Sequence, residues 1–196
     1  MSRGILYILS GPSGTGKGTV CAELINRADI YLSVSATSRE QRKGEIAGVT
    51  YHYVTPDEFK SLIEEDKMLE WAVYSGNYYG TPKEEIEKNL SAGRDVILEI
   101  EPQGAMQVKA KMPEAVLVFI VPPTMKTLRK RLEDRGREDN EEIEKRINAA
   151  KWEFSQAEKY NNIVVNDDLD ECVEDILCLM SKYKKERQII ENLLNE

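Results

Sequence analysis

The 196-residue chain is predicted to be an α/β protein: a three-layer αβα core around a parallel sheet, carrying a small α+β insertion and a helical flap. Three observations predict it. Short apolar runs at residues 5–9, 95–101, 115–121 and 162–166 are each followed by a stretch of helical spacing, the rhythm of βαβ units. Residues 36–81 break that rhythm with period-2 alternation, which suits a small antiparallel sheet with one wet face. A glycine-studded turn closes the first run and opens a helix.

Ile5-Leu6-Tyr7-Ile8-Leu9 is continuous and apolar, as a strand buried on both faces must be, and it ends in Ser10-Gly11-Pro12. From Lys17 to about Ala28, Val20, Cys21, Leu24 and Ile25 recur at helical spacing. In the insertion, alternation appears in Tyr51-His52-Tyr53-Val54 and again over 68–74. Between them Thr55-Pro56-Asp57-Glu58 supplies an N-cap, a first-turn proline and an acid at the third position, opening a helix through about Glu65. Over 126–151 two helices meet near Gly136. Lys126, Arg129, Lys130, Arg131, Arg135 and Arg137 lie before or at the junction, and acids begin the helix beyond it. Residues 169–194 read as one long packing helix, with a kink or fraying beyond Lys184 as the alternative. The length fits a single domain, with its core at about 1–35, 82–125 and 158–196, the insertion at about 36–81 and the flap at about 126–157.

Composition removes several function classes. The 27 basic against 35 acidic residues leave a net charge of −8, which repels nucleic acid and anionic membrane, so anion binding requires a local patch. The single histidine, His52, rules out paired-histidine metal motifs and is read as a packing or surface residue. Cys21, Cys172 and Cys178 form no Cys-x-x-Cys and are expected as reduced core residues of a cytoplasmic protein. The longest apolar run, 115–121, is far below the ~20 residues that span a bilayer. Small molecules are the expected partners; nothing in the sequence sets an oligomeric state.

The chemistry begins at Gly11-Pro12-Ser13-Gly14-Thr15-Gly16-Lys17, a G-x-x-x-x-G-K loop placed after a buried strand and at a helix start. Its glycines let successive backbone N–H groups turn inward on phosphate oxygens, the helix N-terminus adds positive potential, and Lys17 reaches the β- and γ-phosphates. Where such loops usually carry Ser or Thr after the lysine, this chain has Gly18 and then Thr19. Mg²⁺ is therefore expected to be held mainly by nucleotide phosphates, water and an acid elsewhere in the chain.

Gly16-Lys17-Gly18-Thr19 resembles the loop of nucleoside monophosphate kinases, and the resemblance then narrows. Ser35-x-x-x-Arg39-x-x-Arg42-x-Gly44-Glu45, Tyr51, Glu70-Trp71-Ala72 and Gly76-Asn77-Tyr78-Tyr79-Gly80-Thr81 resemble the GMP-binding region of guanylate kinases. Leu98-Glu99-Ile100-Glu101-x-Gln103-Gly104 and Val165-Asn166-Asp167-Asp168-Leu169 resemble later blocks of that family. The resemblance implies a P-loop enzyme that moves the γ-phosphate of ATP to GMP with Mg²⁺, giving ADP and GDP.

It implies roles residue by residue. Gly11 through Thr19, with Arg131 and Asn166, would bind ATP; Arg39, Arg42, Tyr51 and Tyr79 would hold the GMP phosphate. Two arginines three apart can clamp a dianionic phosphate through charge-assisted bonds. Glu70, with Ser35 and Thr81, would read guanine, whose N1–H and 2-amino donors face a carboxylate that adenine's N1 acceptor would repel. Glu101 stands where relatives carry Asp and would contact guanine or a metal-bound water, with Glu99 as a second candidate. Lys17, Arg39, Arg42, Arg135 and Arg146 would be catalytic, the last two closing on the phosphates as the flap excludes water.

Plainer roles stay open for some of these. Glu70 lies in an alternating strand and is also an outward-facing acid; Thr81 precedes Pro82 and is also an N-cap; Asn166 is also a turn former. For the whole chain the alternatives are a kinase for another small phosphorylated acceptor and an inactive guanylate-kinase-like module that binds phosphopeptides.

Overall fold

A computed structural model describes residues 2–134 and 140–194. The chain runs β1 (Leu6–Ser10), α1 (Lys17–Arg27), β2 (Ile30–Leu32), β3 (Ala36–Thr37), β4 (His52–Tyr53), α2 (Pro56–Glu64), β5 (Met68–Tyr74), β6 (Asn77–Pro82) and α3 (Lys83–Ser91). It continues through β7 (Asp95–Glu99), α4 (Pro102–Lys111), β8 (Val116–Val121), α5 (Met125–Asp134), α6 (Asn140–Ser155), β9 (Asn162–Val165) and α7 (Leu169–Leu194). By contact density it forms two compact units, Met1–Ser10 with Asp29–Leu117, and Gly11–Ala28 with Val118–Glu196.

The first unit holds three parallel strands in the order β2-β7-β1, with Leu6 opposite Val96 and Ile30 opposite Asp95. Every residue of β1 is buried, and Val96, Ile97 and Leu98 of β7 are at most 1% exposed, as continuous apolar runs in a parallel sheet require. Asp95 answers one buried amide by accepting from the Ile5 N–H at 3.0 Å. The same unit carries a four-stranded sheet, β4-β3-β6-β5, over a small core of Ala36, Phe59 and Met68 joined by Val54, Leu62, Ile63 and Tyr78. Helix α2 closes that core. Its predicted capping box is present, with Thr55 Oγ1 accepting from the Glu58 N–H at 3.2 Å and Glu58 accepting from the Thr55 N–H at 2.7 Å.

This sheet differs from the expected antiparallel one. β3 pairs antiparallel with β6, and β6 with β5, but β3 pairs parallel with β4, because segment 38–51 is long enough for the crossover a parallel pair demands. The alternation over 68–74 also fails locally. The β5–β6 register shifts between Met68 and Glu70, leaving Leu69 as a bulge, and Met68, Leu69 and Glu70 are all buried.

In the second unit β8 and β9 run parallel, Val118 opposite Asn162 and Val121 opposite Val165. The flap helices pack on each other through Leu128, Leu132, Ile143, Ile147 and Ala150, with Phe154 alongside. Helix α7 is continuous over its 26 residues and buries Cys172, Val173, Ile176 and Met180. Cys21 and Cys172 are core residues as expected, but Cys178 is exposed, off that apolar stripe. Among the described residues, no helix is long and apolar enough to cross a membrane.

Candidate active site

In the first unit the predicted acceptor residues gather on the four-stranded sheet and its loops. Arg39 is gripped by Glu45 in a two-pronged pair, Nη2 to Oε1 at 2.9 Å and Nη1 to Oε2 at 3.1 Å. Glu45 also accepts from the Arg42 backbone N–H at 2.8 Å and the Tyr53 hydroxyl at 2.8 Å. The Arg39 bond, with the Arg42 amide next, holds the Glu45 carboxyl down to about 2. The same bond raises Arg39, with Tyr79 adding to it. The guanidinium lies over the rings of Tyr51 and Tyr53, 5.5 and 5.9 Å from their centroids, and Tyr51 stands edge-on to Tyr79 with centroids 6.0 Å apart. Burial raises the Tyr51 phenol, so it remains a donor. Arg42 is exposed, Ser35 is half-buried just before β3, and His52 is exposed.

Glu70 is not the outward-facing acid that strict alternation allows. The bulge at Leu69 turns it inward, where it is 5% exposed and one oxygen accepts from Thr81 Oγ1 at 2.6 Å. Burial pushes its carboxyl above the usual range, opposed by the Thr81 bond and by Lys111. Thr81 is accordingly a partner of Glu70 and not the N-cap, a position Pro82 fills without a side-chain bond. Glu101 occupies the N-cap position of α4, but its exposed side chain makes no capping bond.

In the second unit the G-x-x-x-x-G-K loop runs from Gly11 into α1. A Cβ at Gly11 would collide with the Ile120 carbonyl, and Gly14 and Gly16 hold φ of +92° and +89°, where side chains are strained. Thr15 Oγ1 donates to Pro12 O at 2.9 Å, folding the loop on itself. Lys17 Nζ donates to the carbonyls of Gly11 and Pro12, the latter at 3.1 Å, which gathers the ammonium inside the loop. Asn166, at the end of β9, donates from Nδ2 to Thr15 O at 2.7 Å. It is a buried brace of the loop, beyond what a turn former would do. Arg146 on α6 donates to Ser13 Oγ at 2.7 Å, so the flap reaches the loop directly. Beside the loop a groove of about 370 Å³ is lined by Gly14, Gly16, Thr19, Arg131, Asp134, Asn166, Asp167 and Leu169. Gly18 and Thr19 lie exposed in the first turn of α1. Arg135, with Gly136 and Arg137, falls outside the described residues.

Glu45 as the partner of Arg39, and Tyr53 beside it, went unassigned by sequence reasoning. The available signals were the Gly44-Glu45 step in the quoted motif and the period-2 spacing of Tyr51 and Tyr53.

A glycine loop that gathers a lysine at the head of a helix, with an arginine reaching in from a helical flap, is the arrangement of a P-loop, and the chain is a P-loop phosphotransferase. Comparison with known proteins narrows this. The family profile described as guanylate kinase matches residues 3–183. A guanylate kinase of Caldanaerobacter subterraneus subsp. tengcongensis is 51% identical over 93% of this chain and 89% of its own length. One from Clostridium perfringens is 47% identical over 98% and 90%. The solved guanylate kinase of Anaplasma phagocytophilum superposes with a TM-score of 0.76 at 33% identity, covering 92% of this chain and 86% of that one. The chain belongs to the guanylate kinase family.

Proposed function

We propose that the chain transfers the γ-phosphate of ATP to GMP, releasing ADP and GDP. The observation that carries this is Glu70, a buried carboxylate fixed by Thr81 in the same unit as the Arg39, Arg42, Tyr51 and Tyr79 cluster. Guanine's N1–H and 2-amino group offer two donors to one carboxylate, whereas adenine's N1 would present an acceptor to it. Thr81 and Ser35 supply hydroxyls for the same base, and Glu101 is a further acid for guanine. Arg39, Arg42, Tyr51 and Tyr79 take the acceptor phosphate, with Glu45 keeping Arg39 in a fixed orientation.

On the donor side, the backbone N–H groups of the 11–19 loop, all but that of Pro12, and the Lys17 ammonium take the triphosphate, and the groove beside Asn166 and Arg131 takes the nucleoside. ATP enters as its Mg²⁺ complex. Gly18 offers no hydroxyl where such loops usually carry Ser or Thr, which supports a metal held mainly by nucleotide phosphates, water and an acid elsewhere in the chain. Phosphoryl transfer spreads charge over the migrating group, so its catalysis is positioning plus cationic stabilisation. Lys17 and Arg146 supply that charge, together with Arg135 by family resemblance, and the segment 126–157 acts as a lid that keeps water from the phosphates. Three cysteines with no Cys-x-x-Cys spacing fit a reducing cytoplasm.

An ADP-release assay with ATP·Mg²⁺ against GMP, AMP, CMP, UMP and dTMP tests the reading. Turnover is expected with GMP alone. In a Glu70→Gln variant, kcat/KM for GMP falls by ~10- to 100-fold, the worth of one two-pronged base contact. Turnover with another acceptor would discard the guanine assignment; no turnover at all would favour a phosphopeptide-binding module.

A further inference from the structure

Strand β5 lies at the edge of its sheet, so its outer backbone groups need partners other than a strand. Helix α4 provides them. Gln107 Oε1 accepts from the Trp71 N–H at 3.2 Å while its Nε2 donates to Trp71 O at 2.9 Å, the bonds a neighbouring strand would have made. One turn further on, Lys111 Nζ donates to Met68 O at 3.1 Å. One turn earlier, Gly104 faces Glu70 itself: a Cβ there would stand 2.6 Å from Oε2 and 3.1 Å from Cδ. Positions 104, 107 and 111 share one helix face, and they meet residues 70, 71 and 68, on both sides of the Leu69 bulge.

At that bulge Leu69 has no partner on β6, although Met68 and Glu70 on either side do, so the backbone leading into Glu70 needs a second support. We propose that the Gly104, Gln107 and Lys111 face of α4 is the positioning and specificity-determining element for the Glu70 carboxylate. Gln107 and Lys111 pin the bulged backbone, Thr81 holds one carboxylate oxygen, and the missing side chain at Gly104 leaves room for the other to face guanine. This rests on the reading of Glu70 as the guanine-binding acid.

The test compares GMP with inosine monophosphate, which lacks the 2-amino group and so reports whether the carboxylate is in place. Gly104→Ala puts a good helix former into α4, so the variant probes the space beside Glu70 more than the helix. It is expected to lower kcat/KM for GMP at least tenfold and the GMP-to-IMP ratio at least fivefold, with KM for ATP within twofold of native. In a Glu70→Ala background, where no carboxylate is crowded, the same change is expected to cost less than twofold. Gln107→Leu keeps the bulk and removes both bonds to Trp71; it is expected to raise KM for GMP about fivefold with kcat retained and to lower the GMP-to-IMP ratio. The proposal is overturned if Gly104→Ala keeps the native ratio, or costs as much with Ala at 70 as with Glu. Should Gly104→Ala not fold, Gln107→Leu decides, and an unchanged ratio overturns it. A native ratio in Glu70→Gln would refute the guanine reading itself and the proposal with it; a lost ratio there beside native behaviour in both α4 variants refutes the proposal alone.

Discussion

Two carboxylates in the first unit are set in opposite directions by their surroundings. Glu45 is partly exposed and surrounded by donors, so its carboxyl is held near 2 and the Arg39 pair stays intact throughout any working pH. Glu70 is buried and its carboxyl is raised by desolvation, so the folded state binds its proton more tightly than the unfolded chain does. Below the ordinary glutamate range both states are protonated and Glu70 contributes nothing; as pH rises through the raised value, the buried charge costs stability. Substrate-free Glu70→Gln is therefore expected to melt above the native protein at pH 7 and level with it near pH 4, as followed by calorimetry. Binding carries the other sign. The native-to-variant ratio of GMP affinities is expected to shrink toward one as the pH falls, because the carboxylate that guanine needs is being protonated. Titrations at stepped pH would expose a flat ratio, which would remove Glu70 from base recognition.

At the scale of elements, short pieces are fixed by caps and braces as much as by burial. Helix α2 has one fully buried residue, Phe59, whose ring stacks on Tyr78 of β6 with centroids 5.2 Å apart. The capping box at Thr55 and Glu58 therefore carries much of the helix start. Thr55→Ala is expected to cost about 1 kcal/mol, a fall in melting temperature of ~2–4 °C, with activity little changed below the transition. In the second unit, the flap helices share a core whose Leu128 and Leu132 also lie against Gly14, where a Cβ would come within 3.0 Å of both. The flap and the phosphate-binding loop are thus packed as one element, with Arg146 adding a polar contact.

Over the whole molecule, the two substrates' candidate residues divide between the units: Ser35 through Glu101 in the first, the phosphate loop with Arg131, Arg146 and Asn166 in the second. Removing one binding set is expected to leave the other intact. Lys17→Met should weaken ATP binding at least tenfold by calorimetric titration while GMP alone binds within twofold of native, and Arg39→Ala should do the reverse. Loss of both affinities in either variant would contradict the division. The sequence by itself determined the phosphate loop, the α2 capping box and the buried strands β1, β7 and β8, because each depends on residues adjacent in the chain: a glycine where φ is positive, an acid three positions after a cap, an unbroken apolar run. It also displayed the arginines and tyrosines of the candidate acceptor site. Only the tertiary structure decided that Glu70 points inward, that Glu45 holds Arg39, that Asn166 braces the loop and that Gln107 completes the edge of β5. Each of these depends on a bulge, a crossover or a helix brought alongside from elsewhere in the chain. Period-2 patterning cannot register one extra residue in a strand, yet that residue is what turns a surface acid into a buried one.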